Sequence, residues 1–275
     1  MLKSFSELVV GTADCGQKPT IILAGVADGH SMEALQEARA KWGFDYLLCE
    51  DATEAALLIK AGKGSALMKG GMATGALLKA VLNKENGIGP SGLMSHIAAF
   101  ASPRYHKLLF VTDGGMVPAP DLNKKELILK NALVFLRGLG YKEPKVAALA
   151  AVETVSDKMP ETLDAFELAR KAALGYFGSC TLEGPISFDL AISAESAALK
   201  GFDSQIAGDA DLFLTPDIAS GNVLGKSLIY MGGAKMAGCI LGAKVPIILT
   251  SRGASAEEKM LSMALALSVK KSDSL

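Results

Sequence analysis

The sequence predicts an α/β fold of two domains with mostly parallel sheets. Three observations carry this expectation. Short apolar runs alternate with helical patterns along most of the 275 residues, as in βαβ units. Those runs are apolar without polar alternation, the mark of strands covered on both faces. The length suits one large or two smaller domains at ~100–200 residues per domain, and a Pro/Gly-rich break divides it.

In order, "TIILAG" (20–25) precedes the helical "SMEALQEARAKWG", and "DYLLCED" (45–51) precedes "ATEAALLIKAG". "SALMKG" (65–70) precedes "TGALLKAVLNK". "KLLFVTD" (107–113) leads through a proline-bearing turn to "NKKELILKNALVFLRGLG". "KVAALAAVE" follows, then the helical "ETLDAFELARKAALGYF". "ISFDLAIS", "LFLTP" and "VPIILT" complete the expected strands, and a last helix opens at Ser255. The Pro/Gly-rich "TDGGMVPAPDL" (112–122) is the best boundary. A return crossing is expected near the small-residue stretch "GGAKMAGCILGAK". The expected division is therefore an outer domain of 1–113 plus 241–275 and an inserted middle domain of 114–240.

Twenty-eight basic residues oppose twenty-nine acidic ones, for a net charge of −1. Charge thus gives no reason to expect nucleic acid or a membrane surface as partner. Cys15, Cys49, Cys180 and Cys239 are scattered and lack zinc-site spacing. They fit reduced thiols in a cytoplasmic protein. "MLKSFSELVV" lacks the apolar run of a signal peptide, and no stretch approaches the ~20 apolar residues of a membrane span. Neither a GxxxxGK[ST] loop nor a GxGxxG fingerprint occurs, and "GIGPSG" (87–92) reads as a loop. In the sequence, His30, His96 and His106 pair with no nearby Ser, Cys or carboxylate and read as structural or exposed; lining a site is the minority reading for His96, beside Ser91 and Ser95.

The stretch "VPIILTSRGASAEEKM" (245–260) concentrates the chemistry. Ser251-Arg252-Gly253 stands between a core strand and a helix start, where parallel α/β folds bind ligands. Arg252 offers a planar fork, Ser251 a hydroxyl, Gly253 close backbone approach, and the helix start free N–H groups. An oxyanion would suit all four; a surface arginine in a turn is the plainer alternative. Glu258 stands three residues after Ser255, the spacing of a capping box. It is either a cap or a general base beside the anion. Thr74 and Lys79 follow a strand and a Gly-Gly turn, so Lys79 is either an anion ligand or a solvated helix lysine, with Lys69 a weaker candidate. Gly221-Asn222 reads as a turn or a ligand loop. Asp209 and Asp211 suggest caps more than a cation site.

"LLFVTDGGMVPAPDL", "KVAALAAVETVSDKMPET", "EGPISFDLAIS" and the stretch from "GDADLFLTP" to "VPIILTSRGAS" together resemble the phosphate acetyl/butyryl transferases, most nearly the phosphate butyryltransferase branch. The resemblance implies two α/β domains of the isocitrate/isopropylmalate dehydrogenase type, with the active site in an interdomain cleft. It implies reversible acyl transfer between CoA and inorganic phosphate, without metal or other cofactor, in a cytoplasmic homo-oligomer of two or more subunits. Ser251 and Arg252 match the family's Ser-Arg pair, which engages phosphate and the reacting carbonyl. Lys79 falls where the acetyl branch carries an arginine. Glu258 falls where that branch carries an aspartate assigned to deprotonating CoA. Gly221-Asn222 match the family's Gly-Asn; with Thr74 and Gly253 they complete the expected phosphate and CoA contacts. The alternatives are a non-catalytic acyl-CoA or acyl-phosphate binding protein and a nicotinamide-dependent decarboxylating dehydrogenase, whose spaced acidic cluster the sequence does not show.

Overall fold

The computed structural model of the protein describes residues 2–8, 18–250 and 254–269. Among the described residues ten strands run in chain order as β1 (Thr20–Ala24), β2 (Asp45–Cys49), β3 (Ala66–Lys69), β4 (Ser95–Ala101), β5 (Leu109–Thr112), β6 (Lys145–Leu149), β7 (Thr181–Ile186), β8 (Leu212–Leu214), β9 (Lys235–Leu241) and β10 (Ile247–Ile248). The α-helices are α1 (Gly29–Trp42), α2 (Ala52–Lys60), α3 (Thr74–Leu82), α4 (Leu122–Gly138), α5 (Pro160–Ala173), α6 (Phe188–Ile192), α7 (Ala194–Leu199), α8 (Ile218–Tyr230) and α9 (Ala256–Leu267).

The chain forms two compact units. One carries Phe5–Met94 and Met236–Lys271, the other Ser95–Lys235. In the first, β1 pairs in parallel with β2 and β3, β3 with β10, and β9 joins β10 antiparallel. In the second, β5 pairs in parallel with β8, β8 with β6 and β6 with β7, while β4 runs antiparallel to β5. The α/β, mostly parallel architecture is therefore as the sequence implies. The second unit begins its sheet at Ser95, where β4 pairs with β5 and β5 with β8.

Local chemistry sets the helix starts. Asp28, Asp51, Asp121 and Asp217 each stand just before a helix and accept backbone N–H bonds from its first turn. Such a cap supplies an acceptor that the helix lacks and is worth ~1 kcal/mol. Gly43 closes α1 in the left-handed region at φ 72° and donates to the Arg39 carbonyl. In the first unit, alternate strand residues Ile21, Leu23, Ala66, Met68 and Ile248 pack against Ala34, Leu35 and Ala38 of α1 and Met263, Ala266 and Leu267 of α9. Ile22 faces the other way; a Cβ at Gly64 would touch both Ile22 and Ile59 of α2. Helices α1 and α9 thus cover one face of these strands and α2 the other, with α3 beside α2.

Several elements differ from the sequence reading. "ISFDLAIS" is not a strand: β7 ends at Ile186, and Phe188–Ile192 form α6. β4 and β9 were not foreseen; "AGCIL", rich in small residues, lies in β9 with its last five residues buried. Gly221 and Asn222 sit inside α8 rather than in a turn, because Asp217 and Ser220 form a reciprocal capping box that starts the helix earlier.

Candidate functional site

In the first unit the carboxyl ends of β1 and β3 feed loops that the backbone joins. Gly70 donates to the Ala24 carbonyl and Gly71 to that of Val26, both at 2.7 Å. A Cβ at Gly70 or Gly71 would come within 2.9 Å of the Val26 oxygen, so the Gly-Gly pair is dictated by close approach. The Lys69 amine donates to the carbonyls of Gly70 and Met72, at 3.1 and 3.2 Å.

Ser251, Arg252 and Gly253, between β10 and α9, lie outside the described residues. The helix that follows them is described. Ser255 caps it, its hydroxyl accepting from the Glu258 N–H at 3.1 Å. The capping box is only half made: among the described residues no hydrogen bond or ion pair engages the Glu258 carboxylate. The bond that caps the helix uses the backbone of Glu258, which any residue but proline supplies. The half-buried carboxylate has its pKa raised by burial, the loss of solvation favouring the protonated form. A carboxylate with raised basicity at a helix start, unengaged among the described residues, is equipped to accept a proton.

Sequence reasoning missed two neighbours. Lys259 is buried, and its amine reaches Ser31 Oγ at 3.0 Å and Asp28 Oδ1 at 3.3 Å. Ser262 is buried as well; its hydroxyl accepts from Gly238 N–H at 3.1 Å and donates to the Glu258 carbonyl at 2.9 Å. The only sequence signal is their polarity on the apolar face of α9, at positions one and four after Glu258.

Thr74 opens α3 and is exposed; Ala73 before it provides no side-chain cap. Lys79 is exposed, and its amine makes no hydrogen bond or ion pair among the described residues. It borders a depression of about 810 Å³ shared with Asp51, Thr53 and Gly75. This places it with α2 and α3, across the strands from α9 and Glu258.

Gly221 and Asn222 belong to the second unit. Gly221 packs its backbone on the loop after β5: a Cβ there would lie 2.7 Å from Gly114 Cα and Thr215 Oγ1. Asn222 donates to the Gly114 carbonyl at 3.3 Å. Buried Asp113 organises the same loop, accepting from the N–H groups of His96, Gly115 and Met116 at 2.8–3.0 Å. Burial pushes the His96 pKa down against the pull of Asp113, so its ring is neutral at pH 7. A cavity of about 880 Å³ lies at the ends of β6 and β8. Its lysine, Lys125, is paired with Asp164 at 2.7 Å, and Leu149, Leu224 and Phe188 line it. Asp121, Glu161, Asp164 and Asp217 also line it, and this charge disfavours phosphate.

Asp209 and Asp211 are ion-pair partners rather than cation ligands. Lys107, fully buried, contacts both at 2.8 and 2.6 Å, and Lys145 contacts Asp209 at 2.7 Å. Among the described residues no cluster of His, Cys, Asp or Glu could hold a metal ion. No described helix is long and apolar enough to cross a membrane. Cys49, Cys180 and Cys239 are free thiols.

The sequence model of the phosphate acetyl/butaryl transferase family matches residues 44–267. The chain belongs to this family. The phosphate butyryltransferase of Clostridium acetobutylicum is 35% identical over 295 aligned residues, covering 97% of this chain and 98% of that protein. A branched-chain phosphotransacylase from Enterococcus faecalis V583 superposes with a TM-score of 0.83 at 33% identity, over 91% of this chain and 98% of the other. A 4-hydroxythreonine-4-phosphate dehydrogenase from Klebsiella pneumoniae matches with a TM-score of 0.53 at 12% identity, over 95% and 94%, a likeness of fold alone. The family match spans β2 through α9, so it takes in parts of both units and the Glu258 turn but not β1 or α1.

Proposed function

We propose that this protein is a phosphate acyltransferase of the phosphate butyryltransferase type. It interconverts acyl-CoA plus inorganic phosphate with acyl phosphate plus CoA, for a short or branched acyl group. The observation that carries the proposal is the Glu258 carboxylate, half-buried and without a hydrogen bond or ion pair among the described residues, in a chain matched to this family through that residue.

In the direction of acyl-CoA synthesis, Glu258 takes the thiol proton of CoA. The thiol is otherwise mostly protonated at neutral pH, with a pKa near ~8.5. The sulfur electron pair forms a bond to the acyl carbonyl carbon, and negative charge develops on the carbonyl oxygen. When the carbonyl re-forms, the C–O bond to phosphate breaks and phosphate leaves with that electron pair. Arg252 and Ser251 are assigned to the phosphate and the developing oxyanion. Gly253, Thr74, Lys79, Gly221 and Asn222 are assigned to phosphate and CoA contacts. Holding both substrates together supplies the rate without a covalent acyl-enzyme. CoA and phosphate are substrates, and no metal or other cofactor is assigned. The proposal includes a cytoplasmic homo-oligomer; the free thiols of Cys49, Cys180 and Cys239 fit a reducing compartment, while Cys15 lies outside the described residues.

The test is phosphate-dependent thiol release from a panel running from acetyl- through butyryl- and branched to longer acyl-CoA. Release that is fastest with butyryl- or branched acyl-CoA is expected. Binding of acyl-CoA with no release from any member would make the protein a binder and overturn the proposal.

A further inference from the structure

We infer that Lys259 and Ser262 are positioning residues for Glu258, fixing the helical turn on which that carboxylate stands. The inference rests on the acyl-transfer reading, in which Glu258 accepts the thiol proton.

With no hydrogen bond to its carboxylate among the described residues, Glu258 is oriented by its backbone and by packing. That backbone is held on every side. Ser255 accepts from its N–H. Ser262 donates to its carbonyl, and the same hydroxyl accepts from Gly238 of β9. A serine bonding back to the carbonyl four residues earlier commonly loosens or bends a helix slightly. Here its second bond anchors the turn to a strand.

The next residue supplies the other tie. The Lys259 amine donates to Ser31 Oγ and to Asp28 Oδ1. Ser31 Oγ donates in turn to Asp28 Oδ2 at 3.1 Å, and Ser31 N–H to Asp28 Oδ1 at 2.7 Å. Asp28 is also the cap of α1, so one carboxylate binds the first turns of two helices. Apolar packing between α1 and α9 already holds these helices together. Burying an ammonium there is costly, and a well-packed apolar side chain would commonly serve stability as well. What apolar packing does not set is the rotation and height of the first turn of α9. Three directional bonds from Lys259 and Ser262 to α1 and β9 set both.

The test is a double-mutant cycle. Lys259→Met and Ser262→Ala are made singly and each combined with Glu258→Gln, and kcat and KM are measured with acyl phosphate and CoA. A displacement near ~1 Å is enough for losses up to ~10²-fold, so each single variant should lose about tenfold or more in kcat. KM for both substrates should stay within about twofold, because substrate binding is not what the ties control. In the Glu258→Gln background neither substitution should reduce kcat further, since no base remains to be placed. Losses that multiply in the double variants, a raised KM with unchanged kcat, or single variants at wild-type kcat would each overturn the inference. If Lys259→Met does not fold, Ser262→Ala, which changes no charge, carries the same cycle. Multiplying losses with a slow Glu258→Gln enzyme refute positioning alone. Wild-type kcat in Glu258→Gln refutes the base, and positioning with it.

Discussion

Ser255 Oγ accepts the backbone N–H of Glu258 at 3.1 Å, while among the described residues the Glu258 carboxylate engages nothing in return. The pair looks like a capping box in sequence, yet only the serine caps. The helix cap and the carboxylate proposed to take the thiol proton thereby fall to different residues.

Ser255→Ala should lower unfolding stability by ~1 kcal/mol, the usual worth of an N-cap side chain. The urea midpoint measures this. Glu258→Gln leaves the cap bond in place and should not lower the midpoint. Burial raises the Glu258 pKa in the native state, so its ionised form costs stability at pH values above that pKa, a cost absent below the unfolded value near 4.5. Neutralising it at pH 7 should therefore be neutral or mildly stabilising.

The same shift fixes the acid side of the pH profile. A base works only when deprotonated, so kcat should fall as pH drops through the raised Glu258 pKa, at a pH above the ordinary carboxylate value. A profile flat down to pH 4.5 would show that no such group controls the step.

Gly221→Ala should destabilise the second unit by roughly 1–3 kcal/mol, the range for overpacking. The added Cβ would lie within 2.9 Å of Gly114 Cα, Thr215 Oγ1 and the Asp113 carbonyl oxygen, and backbone cannot rotate aside. Thermal melting reads the loss. An unchanged melting temperature would remove the packing explanation for this glycine.

Lys107→Met leaves buried Asp211 without its cation and should cost about 3–5 kcal/mol. Burial alone would push the Asp209 pKa up, but hydrogen bonds from Lys107, Lys145 and His106 hold it well below the usual carboxylate range. Its folded pKa is depressed, so its contribution is full above the unfolded value near 3.8 and is lost as pH falls through the lower folded one. Asp209→Asn should therefore lower stability at neutral pH and flatten its decline in acid.

Much of the fold was legible because parallel strands buried on both faces announce themselves as apolar runs, as "TIILAG" and "KLLFVTD" do. β9 escaped because Ala, Gly and Cys contribute little apolar mass, although its pairing with β10 orders it. "ISFDLAIS" misled because continuous apolar character does not separate a strand from a short helix. At the site, residue type and spacing pointed to Glu258, but they could not show that Ser255 alone caps the helix, with the Glu258 carboxylate leaving the reciprocal half of the box unmade among the described residues. Lys259 and Ser262 were illegible: a lysine and a serine on a helix look like surface residues until the fold buries them against Asp28 and Gly238. Lys79 was legible as a cation, but its place across the strands from α9 depends on how the chain winds.

Glu258→Gln tests the central claim most directly, by kcat for CoA acylation from acyl phosphate across pH. Glutamine keeps the size and the backbone cap bond but cannot take the thiol proton. The account predicts that kcat falls by roughly 10²–10⁴-fold at neutral pH, with melting unchanged and partial recovery as rising pH ionises CoA unaided. A Gln variant with near-wild-type kcat at every pH would contradict it.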